Sequence, residues 1–260
     1  MLVRSWNLFH GNTVPPQRRA FLDEMIRLAT ADDPDLVCVQ EVPAWALGRF
    51  TAGDVASRPL FGAAVGRAIT ALDHGLIRSA VSGQGNAVWV SPRLRVVEHH
   101  ALPLNPFRFR RREARRLGLG RFEQLAWARE RRLVQALRVS DGRRTLVVAN
   151  LHCTSFERDP RLADAELLRA AWFADSFARP GEPLVLAGDF NLRPGRSTTL
   201  DALASPEWGF SAPRAGIDQI LVRGAEAVGE VRAWPEERRR RADGSLLSDH
   251  APVEVEVELP

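Results

Sequence analysis

The sequence predicts an α/β protein of one domain, built from mixed β-sheets covered by helices. Three observations predict it. Short apolar runs of strand composition recur from Leu2 to Leu259, segments of helical period interrupt them, and no repeat, Ser/Gly linker or composition break divides the chain. Some runs are separated by turn residues and others by helical segments, so paired and crossover connections should both occur.

Leu2 to Trp6 reads as the first strand. Pro15 to Ala29 reads as a helix, because Phe21, Leu22, Met25, Ile26 and Leu28 recur at helical spacing. Asp35 to Gln40 is a short apolar strand. Ala87 to Ser91 and Leu94 to His99 read as a strand pair turned at Ser91-Pro92. Leu133 to Val139 and Thr145 to Leu151 read as a second pair, turned across Ser140-Asp141-Gly142-Arg143. Arg161 to Phe177 is amphipathic, and Pro183 to Ala187 is a strand. Ile217 to Val222, Val228 to Ala233 and Pro252 to Leu259 complete the set; the last alternates Val with Glu, as a strand with one wet face does.

Composition narrows the class. With 260 residues, 45% apolar and 26% charged, the chain can bury a core without disulfides. No apolar run approaches the ~20 residues of a membrane span. The opening Met-Leu-Val-Arg-Ser-Trp-Asn lacks the pattern of a signal peptide, so the sequence reads as cytoplasmic. All 36 strong bases are arginine, tyrosine is absent, and a net charge of +4 does not by itself imply nucleic acid. Cys38 and Cys153 show no metal-ligand spacing and read as buried free thiols.

The apolar strands repeatedly end in polar residues. The first runs into Asn7, the second into Gln40-Glu41, Leu-Val-Val-Ala-Asn-Leu into His152, and Pro-Leu-Val-Leu-Ala-Gly into Asp189-Phe190-Asn191. Asp218 begins a strand, and Ser248-Asp249-His250 sits just before the last one. Any one strand-end Asp or Asn is ordinarily a cap or turn residue. Six positions supplying four carboxylates, two amides and two imidazoles suit a common site where sheet ends converge.

Trp6-Asn7, Gln40-Glu41, Gly85-Asn86-Ala87, Asn150-Leu151-His152, Gly188-Asp189-Phe190-Asn191, Ile217-Asp218 and Ser248-Asp249-His250 resemble, in that order, the endonuclease/exonuclease/phosphatase superfamily. The resemblance implies a four-layer α/β/β/α sandwich, like that of deoxyribonuclease I, with its site at one end of the paired sheets. It also implies a phosphoesterase dependent on Mg²⁺ or Mn²⁺. Glu41 is the first candidate metal ligand, with Asn7 and Asp249 contributing directly or through water, since such hard cations take oxygen ligands. A second ion near Asp189 and Asn191 stays open. The resemblance gives Asp189 the attacking water, to position or deprotonate, and gives Asn191 the phosphate. Asp218 would orient His250, which acts as general base or as a cationic phosphate ligand. His152 would face the leaving oxygen as general acid or hydrogen-bond donor. Asn86 supports His152 or the phosphate, or else serves a strand-opening turn. His10, His74, His99 and His100 receive no role.

Relatives of this fold cleave DNA, abasic DNA, sphingomyelin, inositol lipids and nucleotides, and fold does not choose among them. The absence of tyrosine favours the branch with two active-site histidines. The segment from Asn105 to Arg132 carries ten arginines against three glutamates, a local +7; with +4 overall, the rest of the chain sums to −3. Arg238 to Arg241 form a second run. Both could line a groove for a polyanion, with Phe107, Phe109, Phe122 and Trp127 stacking on bases, or could be a solvated face, packed rings or a contact to anionic lipid. Arg131 or Arg132 is the best single phosphate contact. The expectation is therefore a weakly sequence-specific DNA endonuclease, with a hydrolase of small or lipid phosphate esters as the alternative.

Overall fold

The computed structural model describes residues 1–43, 46, 54–59, 84–129 and 131–260; His74 and Glu130 lie outside them. Two sheets face each other. The first runs, edge to edge, through β11 (Glu226–Ala233), β13 (Val253–Glu258), β1 (Leu2–Asn7), β3 (Leu36–Pro43), β5 (Gln84–Val90) and β4 (Asp54–Pro59). The second runs through β10 (Asp218–Arg223), β9 (Leu184–Asp189), β8 (Thr145–His152), β7 (Leu133–Ser140) and β6 (Arg95–Pro103). Each is mixed: β1 is parallel to β3 and antiparallel to β13, while β8 is parallel to β9 and antiparallel to β7. A two-stranded ribbon joins β2 (Thr13–Val14) to β12 (Leu246–Leu247).

The strand patterns explain the layering. Val253, Val255 and Val257 point inward from β13 to join Val3, Leu36, Cys38 and Val88 of their own sheet against Leu137, Leu146, Val148 and Val185 of the other. The opposite faces are covered by helices. Leu22, Met25 and Ala29 of α1 (Leu22–Ala29) pack on Trp6, Val37 and Val39. Leu167, Ala170, Ala171 and Ala174 of α4 (Arg161–Phe177) pack on Val147, Ala149 and Leu186, beside Leu200 and Leu203 of α5 (Thr198–Leu203). The result is the four-layer α/β/β/α sandwich.

Three expectations change. The pair 87–91 and 94–99 is not a hairpin: β5 lies between β3 and β4 in one sheet and β6 pairs with β7 in the other, so the Ser91-Pro92 turn carries the chain across the interface. The first helix begins only at Leu22, because Pro15 and Pro16 offer no N–H and Phe21 N donates instead to Gly11 O at 2.8 Å. The arginine-rich segment is two helices, α2 (Phe107–Arg116) and α3 (Arg121–Arg129). Their buried faces supply Phe109 and Trp127, packed edge to face at 5.9 Å, so these two rings are core and only Phe107 and Phe122 stay exposed. Cys38 and Cys153 are free and buried, as expected. Among the described residues no helix is long and apolar enough to cross a membrane.

Gly188 sets how closely β9 approaches β8. It stands at φ +146° opposite Leu151, where a Cβ would lie 1.9 Å from the Leu151 carbonyl oxygen. That oxygen is backbone and cannot swing aside, so only glycine lets Asp189 follow directly in register with His152. Gly188→Ala is expected to destabilise the fold by about 1–3 kcal/mol or more, as overpacked interiors do. Urea unfolding checks this, and an unchanged midpoint would contradict the close approach.

Candidate active site

At one end the apolar interface between the sheets gives way to a polar one. Gln40 of β3 donates to Asn150 Oδ1 of β8 at 2.8 Å, and Asn150 Nδ2 donates back to Val39 O and Ala87 O at 3.0 Å each. Asn7, the last residue of β1, donates to Asp189 Oδ2 at the end of β9, 3.0 Å away. Asn86 of β5 donates across the interface to Leu133 O at 3.3 Å. Its amide therefore ties strand to strand, at a carbonyl one residue from Arg132 in sequence.

The candidate side chains gather beyond these links. β3 shifts register against β5 between Val39 and Val42, and within that bulge Glu41 takes φ +53°. The bulge turns its carboxylate out of the strand pattern towards His152, with Nε2 to Oε1 at 3.9 Å. His152 Nε2 also lies 3.5 Å from Asp189 Oδ2. Asp218 is paired with Asp189 across β10 and β9, and accepts from His250 Nδ1 at 3.0 Å. His250 Nε2 is 3.8 Å from Asp189 Oδ2 and 3.9 Å from Asp249 Oδ1. Asn191, at φ +51°, lends its backbone N–H to Asp189 Oδ1 and its Nδ2 to Cys153 O, both at 3.0 Å. Glu41, Asn191 and Ser248 (φ +61°) all hold left-handed backbone without being glycine, and such strain concentrates where geometry matters more than comfort.

Electrostatics separates the groups. Burial first, and then the charge of Asp218, push the Asp189 carboxyl up to about 7. Burial alone would lower His250, but the Asp218 hydrogen bond and the charges of Asp189, Asp218 and Asp249 outweigh it and carry the imidazole up to about 10. Asp249 is raised by burial and, against the pull of His250, by repulsion from Glu41. Glu41 and Asp249 are thus like charges that repel, and with the amide oxygen of Asn7, which accepts from Phe9 N at 3.0 Å, they are a candidate set of hard oxygen donors. A divalent cation such as Mg²⁺ or Mn²⁺ fits that set and would relieve the repulsion. Asp189, Asp218 and His250 also bring possible ligand atoms within 4.8 Å of one another.

The structure also gives places beside the site to His10, Ser248 and Arg239. His10 Nε2 lies 3.1 Å from Glu41 Oε2, so it belongs to the site's edge. Its neighbourhood follows from a short 3₁₀ turn, Phe9–Gly11, directly after β1. Ser248 donates to Asn7 O at 2.7 Å and accepts from His250 N at 3.0 Å, clamping the Ser-Asp-His loop to β1. Buried Arg239 holds the same loop through Leu247 O and Ser248 O at 3.1 and 2.7 Å. The rest of that arginine run is engaged as well: Arg238 pairs with Asp32, Arg240 with Glu236, and Arg241 with Glu24 and Asp243. Arg132 is buried, with Nη1 2.9 Å from His152 Nδ1, behind the imidazole. Arg131 is half-buried near Arg110, whose pKa is lowered by burial and then by the Arg131 charge.

A sequence model of the Endonuclease/Exonuclease/phosphatase family matches residues 5–250. No curated protein sequence matches. Among solved structures, a functionally unknown conserved protein from Enterococcus faecalis V583 superposes at TM-score 0.69 and 16% identity, over 100% of both chains. The human Nocturnin catalytic domain, with bound sulfate anion, superposes at 0.67 and 15% identity, over 100% of this chain and 93% of that one. Truncated TDP2 from Caenorhabditis elegans gives 0.62 and 16% identity, over 99% and 96%. At such identities the likeness speaks for the fold.

The Asp189 shift has a stability consequence. An aspartate that titrates from 3.8 up to about 7 on folding binds its proton more tightly in the folded state, so its contribution to stability declines as pH rises between those values. In EDTA, the melting temperature of the parent protein relative to Asp189→Asn is expected to fall from about pH 4 to about pH 7. Parallel curves across that window would contradict the buried, repelled carboxylate.

Proposed function

We propose, from the premise that the chain belongs to the endonuclease/exonuclease/phosphatase family of metal-dependent phosphoesterases, that its substrate is DNA, cut as a weakly sequence-specific endonuclease. The observation that carries the substrate reading is the α2–α3 surface. Arg108, Arg111, Arg112, Arg115, Arg121 and Arg129 are exposed there, beside Phe107 and Phe122 at 63% and 59% exposure. Phe122 lies 6.0 Å from Phe156, which lines a cavity of about 300 Å³ with Asn191, Arg193 and Arg196. Basic and aromatic surface therefore leads into the candidate site. Guanidinium groups bind phosphates with release of counterions, and exposed rings stack on unpaired bases.

In this reading Glu41, Asn7 and Asp249 would hold Mg²⁺ or Mn²⁺. The bound cation supplies positive charge against the scissile phosphate and the oxygen that leaves it. Asp189, raised towards neutrality, takes the proton of the attacking water. Asn191 has one amide N–H committed to Cys153 O and turns the other to a phosphate oxygen. His250, kept cationic by Asp218, binds a second oxygen, and His152 Nε2 faces the leaving group. The same site would serve small or lipid phosphate esters, and the pairing of Arg238, Arg240 and Arg241 with carboxylates and of buried Arg239 with the Ser-Asp-His loop favours that narrower substrate.

Supercoiled plasmid tests the reading. With Mg²⁺ or Mn²⁺ the protein should nick it, EDTA and Glu41→Gln should abolish nicking, and rising salt should suppress it steeply. His250→Ala should slow it at least ~10²-fold. A folded protein that leaves plasmid intact but hydrolyses small diesters would move the assignment to the second substrate class.

A further inference from the structure

The two imidazoles of the site are held by opposite partners. His250 Nδ1 faces the Asp218 carboxylate at 3.0 Å, whereas His152 Nδ1 faces the Arg132 guanidinium at 2.9 Å. A guanidinium can only donate, so His152 Nδ1 must accept, and the ring's one proton sits on Nε2. That nitrogen is the one turned to the site, 3.5 Å from Asp189 and 3.9 Å from Glu41, both of them acceptors. We propose that Arg132 is a positioning residue that fixes His152 as a neutral Nε2–H donor. His152 would then act as a hydrogen-bond donor to the leaving oxygen, which takes its proton from solvent water once the P–O bond has broken, and not as an acid that gives its own proton away.

The arginine-rich helical pair is the device that delivers Arg132. Its two ends converge on Glu166 of α4, a carboxylate with 0% exposure. Glu166 accepts from Asn105 Nδ2 at 2.9 Å, from Trp127 Nε1 at 2.6 Å, and from Thr154 N and Oγ1 at 2.6 and 2.8 Å. Asn105 Oδ1 in turn accepts from Arg132 N at 3.1 Å, and Thr154 lies two residues beyond His152. One buried anion therefore fixes the start of the insertion, the core ring of its second helix, the loop after His152 and, through Asn105, the backbone of Arg132. Burial raises the Glu166 pKa, and the hydrogen bonds from Thr154 N, Trp127 and Thr154 Oγ1 and the Arg132 charge work against that rise, so the cation has a second partner in the interior. A surface arginine recruited for substrate would need none of this support.

The proposal rests on His152 belonging to the phosphoesterase site, so its test carries a readout that needs neither metal nor substrate. Two-bond ¹H–¹⁵N correlation on metal-free protein labelled at histidine, assigned with His152→Asn, reports which ring nitrogen carries the proton. At neutral pH His152 should show Nε2 protonated and Nδ1 bare. In Arg132→Gln, whose amide can accept as well as donate, both tautomers should appear. A wild-type His152 protonated on Nδ1, or on both nitrogens, would overturn the proposal whatever the enzyme cleaves. Kinetics on bis(p-nitrophenyl) phosphate with Mn²⁺ give the second arm. Arg132→Gln should lower kcat about 10- to 100-fold, the range for partners that orient an imidazole, with KM little changed. Arg132→Lys, still a donor, should recover part of the loss. A raised KM with kcat intact would make Arg132 a substrate contact instead, and no turnover by the parent protein would count against the phosphoesterase reading while leaving the tautomer result to decide Arg132.

Discussion

The structure depends on a change of character along the interface between its two sheets. Over most of that interface, alternating valines and leucines exclude water. At one end Gln40 reaches Asn150 and Asn7 reaches Asp189, so the sheets are joined by buried amides instead. Buried polar groups are tolerable only when paired, and here each pair needs one member from each sheet. The sheets are thereby fixed in register where it matters, because a slip of one residue would turn every strand end to the wrong face. The site is what lies just past that polar seam. Its carboxylates and imidazoles come from strands that share no local sequence, and only the seam makes them neighbours.

A second theme is how the fold uses charge. Four acidic groups stand at the site, and their environments separate them chemically: Asp218 is tied to an imidazolium, Asp189 is raised towards neutrality, and Asp249 is raised by burial and by the charge of Glu41. The histidines divide in the same way, one backed by a carboxylate and one by a guanidinium. Arginine, the only strong base in the chain apart from its terminus, is accordingly put to three uses. Arg4 is fully buried, stacked over Trp234 and paired with Glu254, and Arg239 and Arg132 hold loops and rings in place. Others face solvent, among them Arg108, Arg111, Arg112, Arg115, Arg121 and Arg129 of α2 and α3.

Much of this was legible in the sequence because strands end where their apolar runs end. Asn7, His152, Asp189 and Asp218 could be placed at sheet ends from pattern alone, and the order of motifs carried the family and with it the four layers. Pairing was less legible. The turn at Ser91-Pro92 has the look of a hairpin, yet it crosses between sheets, a choice made by long-range packing that local turn chemistry does not encode. Amide links such as Gln40–Asn150 are invisible for the same reason, since their members stand 110 positions apart. The direction of an arginine was the least legible of all. Composition marked 105–132 and 238–241 alike as basic, but in three dimensions Arg238, Arg240 and Arg241 of the second run pair with Asp32, Glu236, Glu24 and Asp243. His10 was passed over because nothing in its spacing foretells a left-handed turn that brings it to Glu41.

The central claim is that the two sheets supply one catalytic unit through the Asn7–Asp189 contact. A double-mutant cycle tests it most directly: metal-dependent hydrolysis of a small diester by the parent protein, Asn7→Ala, Asp189→Ala and the double variant. If the two residues act as one unit, the double variant should be no slower than the worse single, because residues that work together lose their effect together. Losses that simply multiply would show two independent contributions and contradict the account.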